Sequence, residues 1–313
     1  MRIKIFLFHR VHPKRDALWD PIDPAHFDWL ISSLKKKYTL VTLEDAVLEG
    51  IASSAEKRNR NDARAAVVFD DGYKDFQDYA LPVLKKYNCP ASMYVVTNSV
   101  ETGLPPWTYI LDEQLFHTKK MKLDLRGSEV AGYEKEFVFA STEERVAFAR
   151  KLKLHLKSIP NSKRVAVCKL INEQFNDVEL PKNLMMNWNE LKQISAEGIE
   201  IGSHSVTHPL LAKMETEEEI LFELKQSKEI IQHQLGFAPK TISYPIGSFD
   251  ERVMKIAKQL DYKMGLAVQH KTFDSEKQNQ FAIPRVELYN ESKLKTSLRM
   301  NGVLQKVKSL LGK

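Results

Sequence analysis

The sequence predicts an α/β fold built on a largely parallel sheet, open or closed into a barrel. Short apolar, β-branched runs recur at spacings that leave room for a helix between them. Several intervening segments repeat their apolar residues at helical period, with Phe27, Leu30, Ile31 and Leu34 on one face. Alternation of this kind is how parallel strands are joined by crossovers.

The first run, Ile3 to Phe8, is broken by Lys4 and closed by His9-Arg10. It is too short for a secretory apolar region or a membrane span and reads as a core strand, so a cytoplasmic location is expected. Further strands are expected over 39–43, 65–69, 91–96, 199–201, 241–244, 264–268 and 281–286. Leu191 and Ile194, then Ile220, Leu224, Ile230 and Ile231, mark later helices. The rhythm fails over about 101–185, where Pro105-Pro106-Trp107 leads into Glu and Lys clusters and a helical pattern from Arg145 to Leu156. This reads as a mostly helical insertion within a single domain spanning 1–313, since no Gly/Ser linker flanks it. Residues 54–64 read as a solvated polar loop. The C-terminal stretch, about 293–313, is amphipathic. It reads as a helix that docks on the body or, alternatively, contacts the inner face of a membrane.

Composition narrows the class. With 43% hydrophobic and 28% charged residues, the chain is an ordinary globular protein. The net charge of +6 fits a Lys-rich surface or attraction to an anionic partner. No basic stripe interleaved with aromatics is present, so nucleic acid is not expected as a partner. Cys89 and Cys168 are far apart and read as free thiols.

The most informative feature is Val67-Val68-Phe69-Asp70-Asp71-Gly72. It places two adjacent carboxylates at the end of a buried strand. Like charges this close raise each other's pKa, and desolvation adds to the cost. A cation that holds one carboxylate and leaves the other for proton transfer resolves the problem. Ligands for such a cation follow another strand, in Gly202-Ser203-His204-Ser205-Val206-Thr207-His208-Pro209. Two histidines four apart can reach one ion from a compact loop, and a carboxylate is a common third ligand. Imidazole suits zinc first, with cobalt, nickel, iron or manganese as alternatives. Two histidines at this spacing are weak evidence alone. Both segments end strands, however, and active sites of parallel α/β folds gather at that end.

These segments resemble the first and second motifs of the polysaccharide deacetylases with a NodB-type domain, carbohydrate esterase family 4. The resemblance implies a distorted (β/α) barrel of seven or eight strands. It also implies Asp71, His204 and His208 as ligands of one divalent metal, with Asp70 as general base. The third motif departs from the family pattern: Ser243-Tyr244-Pro245-Ile246-Gly247 lacks the usual Arg, and Ile246 replaces a Tyr. A backbone N–H at Ile246 can still serve an oxyanion. The missing Arg must come from elsewhere, and Arg285 in Pro284-Arg285-Val286 is the candidate, as in a subgroup of the family. The alternative is a surface Arg at a strand end. The usual C-terminal Leu-x-x-His is absent. Leu7-Phe8-His9-Arg10-Val11 resembles the Tyr-His-x-Val of the subgroup acting on biofilm and capsule glycans, which makes His9 the candidate general acid and His270 the alternative. Tyr244, Pro245, Ile246 and Trp107 are candidate substrate contacts, and Trp188 is either a sugar wall or core.

The expected activity is metal-dependent hydrolysis of an N-acetyl group on a glycan or a lipid- or nucleotide-linked sugar. The alternatives are a hydrolase of another amide, N-formyl or cyclic, and a glycan-binding protein that has lost catalysis.

Overall fold

In the computed structural model, which describes residues 2–15, 19–45 and 63–304, the first strand sets the pattern for the rest. β1 (Arg2–Phe8) pairs in parallel with β3 (Arg64–Phe69) over six residues, from Ile3↔Arg64 to Phe8↔Phe69. Successive side chains of a strand leave on opposite faces. Ile3, Ile5 and Leu7 accordingly join Ala66 and Val68 in one core. Phe6 and Phe8 join Val67 and Phe69 in another, beneath the helix Pro24–Lys37. That helix buries Phe27, Leu30, Ile31 and Leu34. Each such side chain contributes roughly 1.5–3 kcal/mol by leaving water. Asp23 starts the helix by accepting from the Ala25 and His26 N–H groups, and Pro24 costs nothing at its first turn.

The remaining strands are β2 (Thr39–Leu40), β4 (Ala91–Val95), β5 (Lys122–Asp124), β6 (Glu136–Val138), β7 (Glu200–Ser203), β8 (Thr241–Ser243), β9 (Met264–Leu266), β10 (Phe273–Asp274) and β11 (Val286–Glu287). The main sheet runs β10-β1-β3-β4-β7-β8-β9, with β2 beside β3 and β11 beside β1. Only β10 pairs antiparallel in this sheet. The sheet curls until residues 283–287 tie its ends together. Ile283 bridges Leu266 after β9, while Phe6↔Val286 and Leu7↔Glu287 join β11 to β1. The result is a distorted (β/α) barrel. The strand expected over 39–43 is shorter, because Leu43 already begins a helical turn.

Between β4 and β7 the chain forms the helices Trp107–His117, Thr142–Leu156 and Asn161–Gln174 with the β5–β6 hairpin, around a cluster of their own that includes Leu115, Leu152 and Ile171. The hairpin departs from a wholly helical reading. Buried Arg145 donates to the carbonyls of Leu115, Phe116 and Lys120, closing the end of the first of these helices. The helix Lys293–Met300 docks through Thr296 and Met300. The rest of the amphipathic stretch, over 305–313, lies outside the described residues, as does the polar loop except for its last two. Among the described residues no helix is long and apolar enough to cross a membrane.

Gly202 in β7 marks where packing is tightest. A Cβ there would lie 2.3 Å from Cε1 of Tyr94, a fully buried ring of the barrel interior. Gly202→Ala should therefore lower stability by about 1–3 kcal/mol. Urea unfolding reads this out, and an unchanged midpoint would mean that Tyr94 yields at no cost.

Candidate active site

Four strands deliver the site at their C-terminal ends. Asp70 and Asp71 follow β3, His204 follows β7, Ser243 ends β8, and His9 follows β1. The loops that carry them are bent. Asp71 (φ 76), Ser205 (φ 68), His208 (φ 59) and Ile246 (φ 58) adopt left-handed backbone. Each such non-glycine costs on the order of 1–3 kcal/mol and persists only where its surroundings hold it. The holders are identifiable. The buried carboxylate of Glu223, on the helix Glu217–Leu235, accepts from the N–H groups of Val206 and Thr207 at 2.8 and 2.9 Å. The Thr207 hydroxyl donates to the same side chain. Ser205 Oγ accepts from His208 N–H at 3.1 Å, and the Trp107 indole donates to the His208 carbonyl at 3.0 Å. Beside Asp71, the Gly72 carbonyl accepts from Met186 N–H.

Among the described residues, Asp71, His204 and His208 form the one group of three ligand-type side chains able to hold a metal, with ligand atoms within 4.8 Å of one another and all buried. The Nε2 atoms of both histidines lie 3.4 Å from Asp71 Oδ1, which has no hydrogen-bond partner. His204 Nδ1–H donates to the Ser243 carbonyl at 2.7 Å, so in the neutral ring Nε2 carries the lone pair that faces Asp71. Burial pushes the His208 pKa down to about 3, against the pull of Asp71, and keeps it an unprotonated imidazole. Two imidazoles and a carboxylate with an orphaned oxygen fit a divalent cation of the zinc type.

Asp70 is held differently. Arg285 Nη1 donates to its Oδ1 at 2.8 Å, and Ser243 Oγ donates to its Oδ2 at 3.0 Å. Burial pushes the Asp70 carboxyl up, but Arg285, then His204 and His9, outweigh it and hold the pKa below the usual value. Arg285 itself is fully buried and braced by Nε donating to the Ala267 carbonyl. The structure thus brings together Asp70, Asp71, His204, His208, His9 and Arg285.

All but Arg285 of these line a cavity of about 200 Å³, which also takes Ile246, Tyr109, Asp112, Lys153, Lys157 and Glu287. The His9 side chain is 20% exposed, with Nδ1 3.7 Å from Glu287 Oε1. The other expected substrate contacts lie elsewhere. Tyr244 turns into the core, stacks on Phe249 and donates to the Phe281 carbonyl at 3.0 Å. Pro245 is buried beside it. Trp107 does not line the cavity; it fastens His208, and Arg164 lies over its ring. Trp188 packs on the core and donates to Glu101, and His270 is not among the lining residues. Sequence reasoning missed Ser243, Glu223 and Glu287. Only Ser243 lay inside a recognised motif.

The family model described as polysaccharide deacetylase matches residues 57–127 and 166–265, more than half of the chain. The peptidoglycan-N-acetylglucosamine deacetylase of Bacillus cereus is 36% identical over 74 residues, which cover 24% of this chain and 26% of that protein. The match thus spans about a quarter of that relative's own length. In overall shape the chain is similar to the Streptococcus pyogenes deacetylase PplD in complex with acetate, with a TM-score of 0.62, 18% identity, and coverage of 96% and 98%. It is also similar to a de-N-acetylase from Aggregatibacter actinomycetemcomitans, with a TM-score of 0.59, 16% identity, and coverage of 96% and 100%. At these identities the structural likeness speaks for the fold. Together with the matched family pattern, it means that the chain belongs to the polysaccharide deacetylase family.

Proposed function

We propose that the chain hydrolyses an N-acetyl group on a sugar unit of a polysaccharide or its precursor, with one divalent metal, zinc first, held by Asp71, His204 and His208. The observation that carries this reading is the division of the two adjacent carboxylates. Asp71 faces two imidazoles, while Asp70 is turned to Arg285. When bound, the metal supplies a polarised carbonyl and a water of lowered pKa.

The chain's own residues do the rest. Asp70, kept ionised by Arg285, takes the proton of the attacking water. Arg285 and Ser243 orient its carboxylate, one holding Oδ1 and the other Oδ2. Ile246 lines the cavity, and in this reading its backbone N–H serves the developing oxyanion. His9 hands a proton to the departing nitrogen, and Glu287 Oε1 lies 3.7 Å from its Nδ1. A third motif without its Arg would suit a module that has lost catalysis. Arg285 at 2.8 Å from Asp70 supplies that charge from another segment.

Three variants test the assignment. Asp70→Asn should lower acetate release from N-acetylglucosamine oligomers by about 10²–10⁴-fold with bound metal unchanged. Near-normal release would remove Asp70 as the base. His204→Ala should lose the metal by elemental analysis, and unaltered stoichiometry would strike His204 from the ligands. His9→Ala should cost about 10²-fold or more in turnover while retaining metal. A rate close to that of the parent would assign the acid's role to another group.

A further inference from the structure

The cavity holds a cation that the chemistry above does not use. Lys153 and Lys157 reach it from the helix Thr142–Leu156 and its C-terminal cap. Both lie in the stretch 128–165 that the family pattern leaves unmatched, whereas Asp70, Asp71, His204 and His208 lie within matched segments. Lys153 is paired with Asp112 on the facing helix. Lys157 is half-buried, and its ammonium has no hydrogen-bond or ion-pair partner among the described residues. Asp112 and Glu287 act on it only from a distance. Burial, then Lys153, pushes its pKa below the ordinary lysine value. The helix end favours a cation there by only about 0.3–1 kcal/mol. An ammonium taken partly out of water without a partner is costly, and an arriving anion offsets that cost.

We infer that Lys157 is an anion-recognition residue: the substrate carries a carboxylate or phosphate near the N-acetyl sugar, and this group seats against the Lys157 ammonium. The sugar rests on the deacetylase reading; the charge does not. The other charges of the cavity leave room for this. Asp70 is paired with Arg285 and Asp112 with Lys153, while Glu287 lies 3.7 Å from His9, so none of these carboxylates is directly paired with Lys157.

The test is equilibrium binding of the zinc-loaded chain to three probes. These are neutral chitotetraose, a hyaluronan tetrasaccharide bearing carboxylates, and uridine diphosphate N-acetylglucosamine bearing phosphates. At least one anionic probe should bind about tenfold or more tightly than chitotetraose, with an advantage that shrinks as salt rises. Lys157→Met should abolish that advantage and leave chitotetraose binding unchanged, while Lys157→Arg should keep it. The probe that shows the advantage tells carboxylate from phosphate. Equal binding of all three probes, no binding of either anionic one, or a preference that survives in Lys157→Met would overturn the inference. Acetate release from the same probes is scored separately. A charge preference without any release would count against the deacetylase reading and leave the anion subsite standing.

Discussion

The ion pair between Arg285 and Asp70 is the contact on which the site depends. Two neighbouring carboxylates at the end of a buried strand cannot both be left to solvent, and an unpaired buried charge costs several kcal/mol. The chain answers by turning Asp70 to Arg285 and Asp71 to the imidazoles of His204 and His208. Arg285 comes from a segment 215 residues away and is completely enclosed. It arrives there because of how the barrel closes. Residues 283 and 286 pair with opposite ends of the curled sheet, Ile283 with Leu266 and Val286 with Phe6. Residue 285 is thereby held between them, facing the end of β3. Closure of the fold and ionisation of Asp70 are the same structural event.

The same economy runs through the loops. Left-handed backbone at Asp71, Ser205, His208 and Ile246 aims short segments inward at the ends of strands. The strain is held by groups outside the reacting set: Glu223 on one helix, Trp107 on another, and Met186 beside Gly72. These contacts fix backbone and not side chains, which suits side chains that converge to within 4.8 Å of one another. A rigid frame of this kind lowers the cost of assembling the site at the moment of binding.

Much of this was legible in the chain, and what was not has identifiable causes. The barrel strands announce themselves because they are short, apolar and bounded by turn residues. Asp70, Asp71, His204 and His208 stand out because charged and ligating residues directly after such runs have few structural uses. Arg285 was reachable only through resemblance, since no spacing connects it with Asp70. Glu223 looked like any exposed helix acid, because burial of one carboxylate on a helix face leaves no periodic mark. The aromatic residues misled for a related reason. Tyr244 and Trp107 each have a polar tip that meets a backbone carbonyl, Phe281 for one and His208 for the other. Sequence shows the ring but not the direction of its tip. The β5–β6 hairpin escaped notice because three residues per strand are too few to show alternation.

The distribution of these residues separates chemistry from recognition. The groups that face each other across the reacting centre sit on strand ends, where the sheet fixes their spacing to within an ångström or so. The outer wall comes from the helices Trp107–His117 and Thr142–Leu156, which carry a hydrophobic cluster of their own. Substitution in that wall changes what the cavity meets without disturbing the sheet beneath. The two layers touch at few points, and Trp107 is one of them: its indole, on the outer helix, holds the carbonyl of His208, whose Nε2 faces Asp71. A wall that also steadies the His208 loop cannot drift freely. That coupling ties the helical wall to the loop that carries His208.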